Sequence, residues 1–379
     1  MNKIAKILFS LIRYEVFGKE YGRDTAELSD PDTLGAVCTL AAFHDMAHLV
    51  ADALGRLSVV TSDEKLANAL GREQLKAIFR AERTDNELRA VSELFEKEKI
   101  EFLPLKGAII RELYPEKWMR TSCDIDILVK KDDLGRASEA LENSLEYKKM
   151  AEGDHDVGFM SPSGLHFELH FELIDNGRGL KIFDSVWEHT YAKAEGEFHR
   201  YMTDEFFYLF HMVHMAKHVE NGGCGIKPLL DLAFLNKADS LVKKEGYGKF
   251  ADAACRLADC WFGKGEKDAL CEELEKYILR AGVYGNVNNA VAVGQVKKGG
   301  KASYIFSRIF LPYDKLKYRY PTLAKHKCLL PFYQVVRWFG LLSDGGVKRS
   351  ANEIKVNSEM PNESGQAVGM LLSELGLTK

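Results

Sequence analysis

The stretch Thr121-Ser-Cys-Asp-Ile-Asp-Ile-Leu-Val129 places Asp124 and Asp126 in an apolar run rich in β-branched residues. Such a run is typical of a β-strand, in which alternate side chains point to the same face of the sheet. The two carboxylates would therefore share one face, while Ile125 and Ile127 enter a core. Adjacent carboxylates repel each other unless a cation lies between them, and Mg²⁺ prefers such oxygen ligands. A strand edge with two solvated aspartates is the alternative that this stretch leaves open.

Upstream of this strand, residues 101–106 form an extended apolar run that ends at Lys106-Gly107. A short helical pattern follows at residues 108–114. A glycine at a strand-to-helix junction lets the backbone approach a ligand closely. The first N–H groups of the following helix are expected to be free for an anion. The segment therefore predicts an anion-binding turn.

Downstream, residues Gly164–Leu173 alternate strictly between apolar and polar side chains, as in a half-buried strand. Its polar face carries His166, Glu168, His170 and Glu172. Glu168 or Glu172 can supply a third carboxylate, because both lie on that face. His170 either orients Glu168, contacts the substrate, or is an ordinary paired histidine.

The order of these segments resembles the nucleotidyltransferase superfamily that includes DNA polymerase β. Within it, the chain is similar to a group of bacterial uncharacterised nucleotidyltransferases. The segments that carry the resemblance, within residues 85–240, are Leu105–Ala108, Arg120 with Asp124–Val129, Phe167–His170, His211–His218 and Asp231.

This resemblance implies an α+β fold, with a small mixed-sheet nucleotidyltransferase core flanked by N-terminal and C-terminal helical regions. It also implies a two-metal mechanism in which Asp124, Asp126 and Glu168 hold Mg²⁺ or Mn²⁺. An NMP group would then move from an NTP, such as ATP, to an acceptor that is a small molecule, a protein or RNA. The implied nucleotide-binding residues are Lys106, Gly107, Ala108, Arg120, Ser122, His170 and Lys217.

One residue departs from the superfamily pattern, because Ala108 follows the glycine where serine is usual. A hydroxyl contact to phosphate is therefore missing, and Lys106 or Arg120 would compensate. The departure suggests an alternative function, a catalytically weak nucleotide-binding protein or a regulator of the toxin–antitoxin type. Retention of all three acids favours the transferase.

Three histidines, His211, His214 and His218, lie on one stripe of a predicted helix. Three histidines suggest a zinc hydrolase, although no fourth ligand follows at a familiar spacing. The favoured interpretation is a helix that packs under the active site, with Lys217 or His218 near the nucleotide.

Charge is distributed unevenly along the 379 residues, although the formal net charge is only −4. Residues 297–349 contain twelve Lys/Arg and two acids, which leaves the rest of the chain near −14. Aromatic residues interleave the basic ones. The segment either binds a polyanion such as RNA or a membrane face, or forms a helical cap with solvated lysines.

The seven cysteines form no Cys-x-x-Cys pair, which favours reduced thiols in a cytoplasmic protein. No apolar stretch is long enough to predict a transmembrane segment. The pattern predicts four regions: N-terminal helices 1–84, the α/β core 85–200, a helical bundle 201–293 packed on the core, and a basic aromatic helical region 294–379 with a mobile tail.

Within these regions, a helix is predicted to start at Ser62-Asp-Glu-Lys and a separate one to run from about Asp85 to Lys99. Polar stretches at 294–301 and 355–366 predict linkers, the second of them mobile. The predicted strands are 101–106, 124–129, 146–151, 156–160 and 165–173.

Overall fold

A computed structural model describes residues 2–59, 61, 63–153, 155–173, 180–283, 285–320, 322–343 and 346–378. The chain divides into two compact units. The first unit comprises Met1–Met212, Lys227–Glu245 and Cys255–Glu266, and the second comprises Val213–Ile226, Gly246–Ala254 and Lys267–Lys379. The division into four regions stays a prediction.

A five-stranded mixed sheet lies in the first unit. Its strands are β1 (Phe102–Pro104), β2 (Asp124–Val129), β3 (Lys148–Glu152), β4 (Asp156–Met160) and β5 (His166–His170). The order is β1-β2-β5-β4-β3, with β2 and β5 parallel and the other neighbours antiparallel. A separate antiparallel pair joins β6 (Thr190–Tyr191) and β7 (Tyr201–Met202). The sheet with its helical flanks confirms the predicted α+β fold.

Helices make up most of the remaining described chain. They are α1 (Lys3–Phe17), α2 (Pro31–Phe43), α3 (Ala47–Arg56), α4 (Glu64–Lys97), α5 (Gly107–Ile110), α6 (Leu134–Leu145), α7 (Asp204–Val219), α8 (Lys227–Asp231), α9 (Asp239–Lys244), α10 (Gly248–Phe262), α11 (Ala269–Ala281), α12 (Val287–Lys298), α13 (Lys301–Ile309), α14 (Tyr313–Arg319), α15 (Thr322–Lys325), α16 (Leu330–Ser343), α17 (Gly346–Glu359) and α18 (Asn362–Glu374). None of these helices is both long and apolar enough to cross a bilayer.

One face of the sheet packs against α4 and α6. The buried cluster there combines Ile125, Ile127, Phe167 and Leu169 of the sheet with Val91, Phe95, Ala137 and Leu141 of the helices. Full burial of such side chains contributes about 1.5–3 kcal/mol each to folding. The alternation predicted for β5 is confirmed, and it turns the polar positions of β2 and β5 to the opposite face.

The prediction that a separate helix begins at about Asp85 is wrong, because α4 is continuous over 34 residues. Its start is confirmed: the carboxylate of Asp63 accepts hydrogen bonds from the amides of Lys65 and Leu66. Ser62 lies outside the described residues. No glycine or proline interrupts residues 72–97, so a run of good helix formers propagates through the predicted break.

Both predicted linkers are mostly helical. At 294–301, α12 continues to Lys298 and α13 begins at Lys301. At 355–366, α17 and α18 meet, so the prediction of a linker is wrong there too. Composition misleads here because the polar side chain of Asn357 is buried, where it accepts a hydrogen bond of 2.9 Å from Gln295.

Candidate active site

The polar face of the sheet brings the predicted acids together. In the parallel register, Asp126 lies opposite Glu168 and Asp124 lies opposite His166. Residues directly opposite each other in a sheet share a face, and His170 continues the same row along β5. Asp124, Asp126 and Glu168 therefore point from one side of two neighbouring strands.

Glu172, the other candidate for the third carboxylate, lies beyond the end of β5. Its carboxylate contacts the Lys131 amine at 3.5 Å. The strand register thus favours Glu168 over Glu172.

Two basic groups contact the carboxylate of Asp126, which is only 7% exposed. Lys106 Nζ lies 3.3 Å from Asp126 Oδ2, and His170 Nε2 lies 3.2 Å from Asp126 Oδ1. The same nitrogen of His170 is 3.3 Å from Glu168 Oε2. Asp126, Glu168 and His170 each offer a ligand atom within 4.8 Å of the others, an arrangement that can hold a metal ion.

These contacts shift the pKa of each group. Burial raises the pKa of Asp126, but Lys106 and His170 outweigh burial and hold it well below its usual range. Burial and repulsion from Asp126 raise the pKa of Asp124. Burial lowers the pKa of Lys106, yet attraction to Asp126, Asp124 and Glu168 brings it above its ordinary value. Burial also lowers the pKa of His170, whereas its hydrogen bonds to Asp126 and Glu168 raise it to about 9.

Lys106 has an unusual backbone conformation, with φ 41° and ψ −111°. A non-glycine residue rarely adopts such a conformation, and the surrounding structure must hold it. The amide of Leu105 donates to the carbonyl of Asp126 at 2.9 Å, which fastens this bend to β2. The amides of Ala108 and Ile109 donate to the carbonyls of Leu105 and Lys106 at 3.1 Å. The expectation that these first amides of the helix are free for an anion is therefore wrong.

Gly107 packs closely against Ser122. A Cβ atom on Gly107 would lie 3.1 Å from the Cβ of Ser122, so a larger residue would displace one of the two. The hydroxyl of Ser122 donates to the carbonyl of Asp124 at 2.7 Å. The Lys106-Gly107 bend and the start of β2 are thus in contact, and the nucleotide-binding roles of Gly107 and Ser122 stay predictions.

Arg120 forms a buried ion pair. Its Nε and Nη2 donate to the two carboxylate oxygens of Asp231 at 2.7 and 2.9 Å, and its Nη1 donates to the Thr121 carbonyl at 2.8 Å. Asp231 is fully buried and also accepts a hydrogen bond of 2.8 Å from the hydroxyl of Tyr114. These contacts fix the segment that leads into β2. The predicted contact of Arg120 with a nucleotide stays a prediction.

Three residues that the sequence analysis did not predict support the segment that leads into β2: Asp45, His48 and Lys227. The Lys227 amine contacts Asp45 and donates to the carbonyl and the hydroxyl of Thr121 at 3.0 Å each. His48 Nε2 donates to the carbonyl of Met119 at 3.0 Å. These partners are 71 to 182 residues apart in the chain, so no local pattern indicates them.

The histidines of α7 have other contacts. His211 Nε2 donates to the carbonyl of Pro228 at 2.9 Å, and the Nε2 atoms of His214 and His218 lie 3.3 Å apart. Within the described ranges, neither grouping of possible metal ligands includes an α7 histidine. Lys217 belongs to the second unit, and its predicted nucleotide contact stays a prediction.

Comparison with known proteins adds one match. The family model described as "uncharacterised nucleotidyltransferase" matches residues 30–263. Comparisons with curated proteins and with solved structures found no match. The matched range covers more than half of the chain and includes β1, β2 and β5. It therefore includes the acidic face, by which we mean the side of β2 and β5 that carries Asp124, Asp126 and Glu168. The chain therefore belongs to this family of uncharacterised nucleotidyltransferases.

Proposed function

We propose that this protein moves a nucleoside monophosphate group from an NTP to an acceptor, and that Asp124, Asp126 and Glu168 hold Mg²⁺ or Mn²⁺. The observation that carries the proposal is the register of β2 and β5, which sets Asp126 beside Glu168 on a polar face. Membership of the family supports a nucleotide substrate. Small molecules, proteins and RNA are the acceptor classes to test.

The donor set fits a hard divalent cation. Carboxylate oxygens are the ligands that Mg²⁺ and Mn²⁺ prefer. Lys106 and His170 keep Asp126 ionised, so its oxygens are available for coordination at neutral pH. When bound, such ions lower the pKa of an acceptor hydroxyl and neutralise charge on the triphosphate.

The chain's own residues position and neutralise the reacting groups. The Lys106 amine, charged beside Asp126, can contact a phosphate oxygen. A proton on His170 Nε2 is shared by Asp126 Oδ1 and Glu168 Oε2, which orients both carboxylates. The absence of a side chain at Gly107 permits the Lys106-Gly107 bend to pack closely against Ser122 at the start of β2. Such positioning and charge stabilisation account for most of the catalysis in phosphoryl transfer.

Separate labels on the α- and γ-phosphorus of ATP, GTP, CTP and UTP test the proposal. The protein is incubated with Mg²⁺ or Mn²⁺ and with small-molecule, RNA and protein fractions of a cell extract. We expect the α-label to enter a product while pyrophosphate is released. Asp126→Asn should abolish transfer, and Glu172→Gln should retain it as the matched control. Transfer of the γ-label instead would contradict the proposal.

A second candidate is a nucleotide-binding protein with little turnover, such as a regulator of the toxin–antitoxin type. Ala108 offers no hydroxyl to a phosphate, and its amide is used within the turn, which favours this candidate. Metal-dependent NTP binding without transfer of the α-label in any fraction would select it.

A further inference from the structure

We propose that His155, Asp156 and His170 form a binding site for Zn²⁺, next to the carboxylates of the acidic face. This site does not depend on the proposed function. It differs from the zinc hypothesis for α7, because its residues lie on β4, β5 and the turn before β4.

The two strands bring these side chains together. Asp156 lies directly opposite His170 in the antiparallel register of β4 and β5. The carbonyl of His155 accepts a hydrogen bond of 3.0 Å from the amide of Phe171, just beyond the end of β5. One ring nitrogen of each histidine and a carboxylate oxygen of Asp156 lie within 4.8 Å of one another.

Two buried histidine nitrogen atoms at this position have no hydrogen-bond partner among the described residues. His170 is only 3% exposed, and its Nε2 is already occupied by Asp126 and Glu168. Its other nitrogen, Nδ1, is buried without a hydrogen-bond partner in the part of the chain that the structure describes. The same holds for Nδ1 of His155, whose ring centroid is 5.6 Å from that of His170. Buried polar atoms in folded proteins normally have partners, so this pair points to a ligand.

The chemistry of the three side chains selects the ion. Imidazole nitrogens bind zinc and related first-row metals, whereas Mg²⁺ prefers oxygen ligands. Two histidines and one carboxylate leave a fourth position of a tetrahedral zinc ion for water or a substrate atom. Metal-bound histidines usually donate their second N–H to a carboxylate, and His170 Nε2 has that contact with Asp126. His170 thus connects the zinc site to the acidic face.

Metal content measured on the full chain tests the proposal. Protein stripped with a chelator is equilibrated with Zn²⁺ in excess Mg²⁺, and bound zinc is counted by mass spectrometry. Co²⁺ replaces Zn²⁺ in a parallel experiment, because its visible absorption is strong in a tetrahedral site and weak in the octahedral aqueous ion. We expect one tightly held zinc ion per chain. His155→Ala and Asp156→Asn should each weaken binding by at least about tenfold.

Matched variants locate the ion. His166→Ala removes a histidine from the same face, and Asp124→Asn removes a carboxylate; neither should change zinc binding. Asp126→Asn should weaken it by about 10–100-fold without abolishing it. Unchanged zinc affinity in both folded His155→Ala and Asp156→Asn, or displacement of zinc by Mg²⁺, would overturn the proposal. Circular dichroism verifies folding, and label transfer from NTP is scored separately, so failure of one proposal does not imply failure of the other.

Discussion

At the residue scale, the charge of Lys106 balances the acidic face. Lys106→Met removes the amine that contacts Asp126, and three carboxylates then share the single charge of His170. Loss of a buried, charge-assisted contact costs about 1.5–3 kcal/mol, so urea denaturation should show a destabilisation of that size. Lys131→Met, which removes an exposed contact with Glu172, is the control and should stay within about 0.5 kcal/mol of wild type. Equal effects of the two substitutions would contradict this account.

Another single residue, His48, makes the stability of the first unit depend on pH. Burial lowers the pKa of His48 to about 4, from an ordinary value of 6.5. Between these values the unfolded chain binds more protons than the folded chain, so stability falls as the pH drops from 6.5 towards 4. His48→Gln removes this contribution and keeps a donor for the carbonyl of Met119. Urea denaturation near pH 7 and near pH 5 should show a smaller loss of stability in the variant than in wild type. If wild type and His48→Gln lose the same stability between pH 7 and pH 5, His48 does not titrate in this way.

At the scale of elements, the ion pair between Arg120 and Asp231 joins α8 to the segment before β2. Removal of one partner leaves an uncompensated buried charge, so Asp231→Asn should cost about 3–5 kcal/mol in urea denaturation. Glu73→Gln removes an exposed ion pair with Lys76 within one helix and serves as the control. An exposed pair contributes at most about 1 kcal/mol. If Asp231→Asn were as mild as the control, the pair would not hold this segment.

The same elements show what sequence can predict. β2 and the alternation of β5 follow from a local period of two, so both are predictable. The placement of three acids on one face of the sheet is predictable as well, because Asp124, Asp126 and Glu168 lie on those strands. The contacts of Arg120 with Asp231 and of Lys227 with Asp45 are not predictable, since they join residues 111 and 182 positions apart.

Polarity is a poor guide to the boundaries of helices. Asn357 occurs in a polar stretch that predicts a linker, yet it is buried within α17. Its tertiary partners, Gln295 and the carbonyl of Lys301, make that burial favourable, and no local pattern indicates such partners. At the start of α13, the Lys301 amine donates to the carbonyl of Met360 at 2.6 Å, another tertiary contact that local composition does not indicate.

At the scale of the whole molecule, the basic segment 297–349 is the predicted contact for an RNA acceptor. Phe306, Phe332 and Phe339 are more than half exposed there, as stacking side chains for single-stranded RNA would be. Some of its positive charge is already paired, as in the contact of Arg308 with Glu353.

Charge reversal tests the RNA interpretation of this segment. If the segment binds RNA, combined replacement of Lys315, Lys317 and Arg319 by Glu should weaken that binding. The slope of the logarithm of affinity against the logarithm of salt concentration should also fall in magnitude by about 2, because each lost phosphate contact removes about 0.7. Filter binding at several salt concentrations measures both quantities. Unchanged affinity and slope would support a helical cap with solvated lysines.

The central claim is that the acidic face of β2 and β5 holds a metal-bound nucleotide. Thermal and chemical unfolding with each NTP and Mg²⁺ tests it most directly, on wild type, Asp126→Asn and the control Glu172→Gln. A ligand at about 100 times its dissociation constant adds roughly 2.7 kcal/mol to stability. We predict that at least one NTP stabilises wild type and Glu172→Gln only when Mg²⁺ is present, and does not stabilise Asp126→Asn. Equal stabilisation of Asp126→Asn and wild type would contradict the claim.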